Sequence, residues 1–440
     1  MVPSARLIWL VAAIGFPAAI MAALLPGERW IAIAAISLIA ILAILDALLR
    51  ARPLAGIRIV LPEFARFYKD REGRIPVRVL NRNRRAQRVR VGLVAPEGID
   101  TPFEEQRIEL PSNADASEFS WTFVPRRRGR YRFESGYLEA ASPLGLWLVR
   151  RRDPVAFELR VYPNLRRDND LKALRRGVEG WHSFRQIGRG RDFEKLREYI
   201  PGDGFDEIHW KATARRGRPV TKVFQVERTQ EIYVVIDASR LSGRPAGGET
   251  VLEQSITAGL IAGAAAERRG DLFGLAAFSD RVESFTRARN GKAHYAACRD
   301  SIYELQPRPV SPDFDEIATF LRLRLRRRAL LLFLTSLDDP VLAENFARAS
   351  KLLARRHLAV VAMLRPASAQ ELFHEGHHGA RVESVEDIYR RLAGHLSWRR
   401  LRELETQLAH QGVRLAMLEP GNLAAGLIGL YDEVKQRQLL

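Results

Sequence analysis

Cysteine is almost absent from this chain, Cys298 being the only one in 440 residues. A single thiol forms no internal disulfide and leaves no CxxC pair for a metal, so disulfide-stapled and zinc-ribbon scaffolds are excluded and a reducing compartment is expected. Acid is also scarce, with 52 Asp and Glu against 70 Lys and Arg, a formal charge of +18 and a pI near 10.5. Such a chain is drawn to anionic surfaces, whether lipid, nucleic acid or an acidic partner. The signatures of common chemistries are missing as well. Gly188-Arg189-Gly190 has no Lys-Ser/Thr after it and makes no phosphate loop. His374, His377 and His378 follow an HxxHH spacing, unlike the HExxH of a zinc helix, and Gly376 and Gly379 place them in a surface loop.

Charge is absent from two stretches, Leu7 to Leu25 and Trp30 to Leu45, each close to the roughly 20 residues that cross a bilayer as a helix. Only Pro26-Gly27-Glu28-Arg29 separates the apolar runs, so they are expected to form a hairpin with both ends on one side. Arg6 precedes the first run, and Arg50 and Arg52 follow the second. The positive-inside rule then puts both termini and the soluble domains in the cytoplasm of an integral membrane protein. A cleaved signal peptide is the competing reading, opposed by the second run and by the lack of a small-residue cleavage site. Asp46, one turn from the helix end, is expected at headgroup level in reach of water.

Beyond residue 52 the grammar changes twice. From 53 to 164, short alternating runs such as "IPVRVLN", "RVRVGLVAPEG" and "FELRVYP" predict an all-β sandwich. Its basic turn, Arg126 to Arg130, reads as a solvated loop, with acidic headgroups as the sharper alternative. Residues 165 to 230 are polar, basic and rich in glycine, and read as a connecting segment. From 231 to 440, apolar runs at 232–237, 272–279, 329–336, 358–364 and 413–418 alternate with helical stretches. Strands buried on both faces between helices predict an α/β doubly wound parallel sheet. Ligands of such sheets bind beyond the carboxyl ends of the strands.

Asp237 and Ser239 stand at one such end, and Ser336, Asp338 and Asp339 at another. If the two strands are neighbours, carboxylates and hydroxyls converge there in a manner suited to Mg²⁺. "IYVVIDASRLSG" with "LLFLTSLDD" resembles a von Willebrand factor A domain, whose metal-ion-dependent adhesion site opens with D-x-S-x-S. By that resemblance Asp237 and Ser239 fill the first two positions, Leu241 falls on the third with Ser242 one residue late, and Asp338 or Asp339 supplies the last ligand. The set is a degenerate site for Mg²⁺, and the alternative is that Asp237 is a hydrogen-bonded cap on the strand end.

The most unusual stretch lies just upstream: "GRGRDFEKLREYIPGDGFDEIHWKATARRGRPVTKVFQVER". It resembles the hallmark of the bacterial domain-of-unknown-function family 58, through Gly188, Gly190, Phe193, Arg197, Tyr199, Gly202, Asp203, Ile208, Trp210, Lys211, Ala214 and Arg215. It departs from that hallmark at Asp192, where Glu is usual, and at Asp206, where Arg is common. An N-terminal membrane hairpin and the "RRGRY…PLGLW" stretch between 127 and 147 extend the likeness. The resemblance implies no established enzymatic activity. It implies a membrane-anchored adaptor or scaffold, with a MoxR-type AAA+ ATPase as partner and a transglutaminase-like membrane protein as a further one. Read from its residues alone, the segment around His209, Trp210 and Lys211 is flanked by turns and is either an internal brace or a partner surface, with its cations paired to nearby acids.

Two other functions compete. A metal-dependent or hydrolytic enzyme would use His209 as general base, oriented by Asp203 or Glu207, yet no nucleophile or oxyanion site accompanies it. Nucleic-acid binding would lean on "RLRLRRR" (322–328), but those arginines fall at a predicted helix end with no recognition module beside them, so no nucleic acid is expected as a partner.

Overall fold

The computed structural model describes residues 1–25, 29–48, 54–82, 86–165, 187–188, 192–200, 205, 208–225, 230–371 and 384–437. The chain divides into two compact units, Met1–Asn164 and Leu165–Leu440.

The first unit opens with strand β1 (Val2–Pro3) and two helices, α1 (Ala5–Leu24) and α2 (Arg29–Leu48). Both helices are long and apolar enough to cross a bilayer, with mean hydropathy of 2.3 and 2.7. Nine strands follow: β2 (Ile57–Val60), β3 (Phe64–Tyr68), β4 (Gly73–Asn81), β5 (Gln87–Leu93), β6 (Ile99–Asp100), β7 (Glu105–Leu110), β8 (Ala116–Pro125), β9 (Gly129–Ala141) and β10 (Trp147–Tyr162). One sheet has the order β1-β10-β9-β5-β7, with β3 also parallel to β10, and the other has the order β2-β4-β8-β6. Alternation decides the packing. In β4 every second residue, Ile75, Val77 and Val79, is buried, and these pack in one core with Val89, Val91, Leu138 and Leu159 of the facing sheet. Trp121 lies at its centre, with its indole N–H donating to Thr101 Oγ1 at 3.0 Å. In the basic turn Arg126, Arg127 and Arg130 are exposed, in keeping with a solvated loop. Arg128 is buried, and Arg126 donates to Asp100 at 2.6 Å, which raises its pKa above the usual arginine value.

In the second unit, β11 (Ile187–Gly188) and β12 (Asp192–Glu198) flank β13 (Val220–Gln225) in an antiparallel sheet, and the short helix α3 (Trp210–Arg216) precedes β13. The segment read as a connection therefore carries a small sheet of its own. Next come β14 (Glu231–Asp237), the short pair β15 (Pro245–Ala246) and β16 (Glu249–Thr250), and α4 (Val251–Arg268). They are followed by β17 (Leu272–Phe278), β18 (Val282–Arg289), α5 (Lys292–Ile302), α6 (Phe314–Arg324), β19 (Ala329–Leu334) and α7 (Pro340–Ala354). The last elements are β20 (Leu358–Leu364), α8 (Val385–His410), β21 (Val413–Leu418) and α9 (Leu423–Gln436).

The main sheet has the order β18-β17-β14-β19-β20-β21, parallel throughout except for β18 at one edge. Two cores lie on its faces, one with α4 and α9, the other with α6, α7 and α8. Close approach of α4 to the sheet depends on glycine. A Cβ at Gly263 would stand 2.6 Å from the Phe273 ring, an overlap that costs about 1–3 kcal/mol when forced into a packed core. Edge strand β18 was not foreseen, because its pattern "VESFTRAR" is half-exposed and charged and shows no clean alternation.

Candidate functional site

Parallel pairing brings β14 and β19 side by side with Ile236 opposite Leu334, so the next residues, Asp237 and Thr335, meet beyond the strand ends. Asp237 is buried, at 3% exposure. Its Oδ2 accepts the Thr335 hydroxyl at 2.6 Å and its Oδ1 accepts the Ser239 amide at 2.8 Å. Burial pushes the carboxyl above the usual aspartate range, and these hydrogen bonds only partly oppose it. The Ser239 hydroxyl, fully buried, lies beside that carboxylate without a well-formed hydrogen bond.

The other residues of the proposed metal set are committed locally. A single turn of 3₁₀ helix, Arg240–Gly243, follows Ser239 and buries Leu241 in the core on the α6–α8 side. Ser242 Oγ donates to Ser239 O at 2.7 Å. Asp339 caps α7 by accepting the Val341 amide at 2.9 Å, with Pro340 opening the helix. Asp338 accepts the Arg244 guanidinium at 2.6 Å. Asp237, Ser239 and Thr335 thus adjoin, whereas Ser242 and Asp339 serve turn and cap, and Asp338 already holds a cation. Thr335 escaped the sequence reading, although the register of two neighbouring strands identifies it.

The same edge is covered by residues 308 to 313. Arg308 N donates to Ala238 O at 2.8 Å, Arg240 N to Val310 O at 2.9 Å, and Asp313 N to Ser279 O at 2.8 Å. The Arg308 guanidinium sits between Asp280 and Glu283, and Ser279 Oγ is 2.8 Å from both acids. The Ser279 contact lowers the pKa of Asp280. Arg308 and Ser279 outweigh burial to lower that of Glu283.

In the hallmark, the residues around Trp210 form a helix with identifiable stops. His209 Nδ1 accepts the Ala212 amide at 3.1 Å as the N-cap, and Gly217, at φ 65°, supplies the left-handed residue that ends α3. His209 N donates to Val220 O at 2.8 Å, and Thr213 Oγ1 accepts the Val220 amide at 3.1 Å, which folds the helix back on β13. Ile208 and Val220 are buried beneath it. Trp210 points outward at 67% exposure, as do Ile200 and Phe205, while Lys211 and Arg215 are also exposed. Glu198 pairs with Arg218 at 2.6 Å. Gly190, Gly202, Asp203, Asp206, Glu207, His374, His377 and His378 lie outside the described residues.

A second buried aspartate corrects an expectation. Asp46 does not reach water. It is 1% exposed and accepts the amides of Leu144 at 2.9 Å and Leu146 at 3.0 Å, together with the Ser142 hydroxyl. Loop residues 142–146 close over the end of α2, because the β9–β10 hairpin turns there. Trp147 Nε1 donates to Ala43 O at 2.9 Å and Ser4 Oγ to Gly145 O at 2.6 Å, so the "PLGLW" stretch clasps both apolar helices.

Residues 195–384 match the model of the family described as "Protein of unknown function DUF58", as the hallmark resemblance led one to expect. "Uncharacterized protein YeaD" of Bacillus subtilis (strain 168) is 26% identical over 148 residues, 32% of this chain. The chain spans 37% of the length of that curated relative. Among solved structures, the YadV chaperone matches 22% of this chain and 50% of its own at 14% identity and a TM-score of 0.16. A protein of unknown function from Porphyromonas gingivalis W83 matches 38% of this chain and 78% of its own at 12% identity and a TM-score of 0.17.

Proposed function

We propose that this protein is a non-enzymatic adaptor, anchored in the membrane by α1 and α2, with its soluble parts in the cytoplasm. Its second unit is read as a von Willebrand factor A-like domain that binds a MoxR-type AAA+ ATPase. The observation that carries the reading is the exposed face of the hallmark helix. A tryptophan at 67% exposure, beside Lys211 and Arg215 on a helix pinned to its own sheet, suits recognition of a partner. The strand-end site supports binding over chemistry. Asp237 spends its oxygens on Thr335 and Ser239, and the His209 lone pair is spent on a helix cap. A transglutaminase-like membrane protein would be a further member of the assembly.

A second reading, Mg²⁺ held by Asp237, Ser239 and Thr335, is favoured by the buried Ser239 hydroxyl beside the carboxylate. The remaining members of the expected set do not fit it, since Leu241 offers no oxygen and Asp338 is paired with Arg244.

The test uses the full chain in nanodiscs and the purified MoxR-type ATPase of the same host, without nucleotide. Association is expected to fall at least about tenfold in Trp210→Ala, the order of a lost interfacial anchor, and to be indifferent to EDTA. Absence of association removes the adaptor reading. Association that needs Mg²⁺ and is lost in Asp237→Asn favours the metal.

A further inference from the structure

The two edges of the main sheet are treated differently. Edge strand β18 is antiparallel, is interrupted twice in its register with β17, and carries Glu283, Arg287 and Arg289. Bulges and charges of this kind are how sheets discourage further pairing. Edge strand β21, "VRLAML", pairs with β20 without interruption and has Arg414 as its one charge. Its hydrogen-bonding direction follows from a single contact. Leu418 O accepts the Arg365 amide at 2.8 Å, so Leu418, and by alternation Ala416 and Arg414, face inward to β20. Val413, Leu415 and Met417 therefore aim their N–H and C=O groups at the outer edge, where no other described strand pairs.

Beside that edge lies a groove of ≈ 470 Å³ between β21 and α8, floored by half-buried Trp398 and Met417. Its lining carries Arg365, Arg402 and Arg414 against one acid, Glu405. Each arginine has one exposed or half-exposed carboxylate partner: Arg365 pairs with Glu419 at 2.8 Å, Arg402 with Glu405 at 2.7 Å, and Arg414 with Glu433, and the Arg402 guanidinium also lies over the Trp398 ring, 5.5 Å from its centroid. Exposed pairs of this kind contribute about 0–1 kcal/mol and leave most of the five guanidinium donors available to another carboxylate.

We propose that β21 is a strand-addition site, taking an extended segment of a partner protein whose acidic side chains meet Arg365 and Arg402 on the α8 face of the sheet and whose apolar side chain fills the groove beside Trp398. Apart from Arg365, the site lies beyond the 195–384 family match and is separate from the hallmark helix, so it stands whether or not the adaptor reading does. Backbone pairing would supply affinity and the groove specificity, as in other strand-addition modes.

The test measures amide hydrogen exchange of the full chain in nanodiscs with an acetylated, amidated heptapeptide carrying Glu at positions 1 and 5, Val at positions 3 and 7 and Thr between them, so that acids and apolar side chains share one face. Protection is expected at Val413, Leu415 and Met417, and should vanish with the same peptide N-methylated on alternate residues. Binding should weaken about tenfold in Arg402→Glu, the scale of a lost charge-assisted contact. Unchanged exchange at saturating peptide, or equal binding of the N-methylated form, overturns the proposal. Protection that instead rises with protein concentration alone overturns it in favour of a second copy of this chain.

Discussion

Asp46 and Asp237 are both buried, at 1% and 3% exposure, and both join segments about a hundred residues apart, yet their surroundings differ in kind. Asp46 meets donors only. Leu144 and Leu146 offer amides, and the Ser142 hydroxyl is oriented because its oxygen already accepts the Trp147 amide at 2.9 Å. Asp237 meets one amide and the Thr335 hydroxyl, which can rotate to donate or accept, with the Ser239 hydroxyl beside them. The first site requires a carboxylate and serves to hold the loop on the helix end. The second tolerates a neutral group, which is what burial already favours there.

Substitution by asparagine breaks the comparison open. At Asp46 the amide NH₂ must oppose a backbone N–H wherever it turns, so Asp46→Asn is expected to lose about 1–3 kcal/mol and Asp46→Ala, which also strands the buried Leu146 amide and Ser142 hydroxyl, somewhat more. Hydrogen exchange at Leu144 and Leu146 should accelerate in both variants. Protection equal to that of the parent would show that the clasp does not depend on the carboxylate.

At Asp237 the two substitutions should separate. Asp237→Ala leaves the Ser239 amide buried without its acceptor and is expected to cost about 1–3 kcal/mol. Asp237→Asn keeps that bond and lets Thr335 accept the new NH₂. The pH dependence sharpens the point. Because the folded-state pKa is raised, Asp237 contributes stability below its unfolded value of 3.8, and this is lost as pH rises through the folded value. Asp237→Asn should therefore match or exceed the parent in thermal unfolding at pH 7 to 8, and a lower Tm there would count against the cap.

A smaller effect of opposite sign is expected at His357, which is buried at 3% exposure before β20. Burial, with help from Arg356, lowers its pKa below 6.5. Neutral in both states at higher pH, it binds a proton more readily when unfolded, so stability falls as pH drops below 6.5 toward the folded value. Unfolding midpoints of His357→Phe should lose that slope between pH 6.5 and 5, and an unchanged slope would assign it elsewhere.

The parts of the fold legible in the sequence are those where one physical signal dominates. Continuous apolar runs mark β14, β19 and β20 because both their faces are buried, and the two uncharged N-terminal runs mark α1 and α2. What was not legible depended on partners far along the chain. Strand β18 is charged and bulged, so neither period shows. Thr335 becomes a partner of Asp237 only through the register of β14 against β19. Asp46 looked like an end-of-helix acid because its three donors come from residues 142 to 146. The helix at Trp210 was obscured by a histidine acting as its N-cap, a position at which Ser, Thr, Asp and Asn are the usual signals.

The smallest expected change in stability belongs to Trp210. Its side chain is exposed, and the helix it opens is held by His209, Thr213 and the Gly217 cap rather than by the indole. Trp210→Ala is therefore expected to shift unfolding by no more than about 0.5 kcal/mol, the range of surface substitutions. Ile208→Ala, which empties a buried position beneath the same helix, should cost about 2 kcal/mol or more. Equal losses in the two variants would make Trp210 part of an internal brace. A loss confined to Ile208→Ala leaves the indole free for recognition and separates the hallmark's two roles, with Ile208 holding the helix to its sheet and Trp210 facing outward.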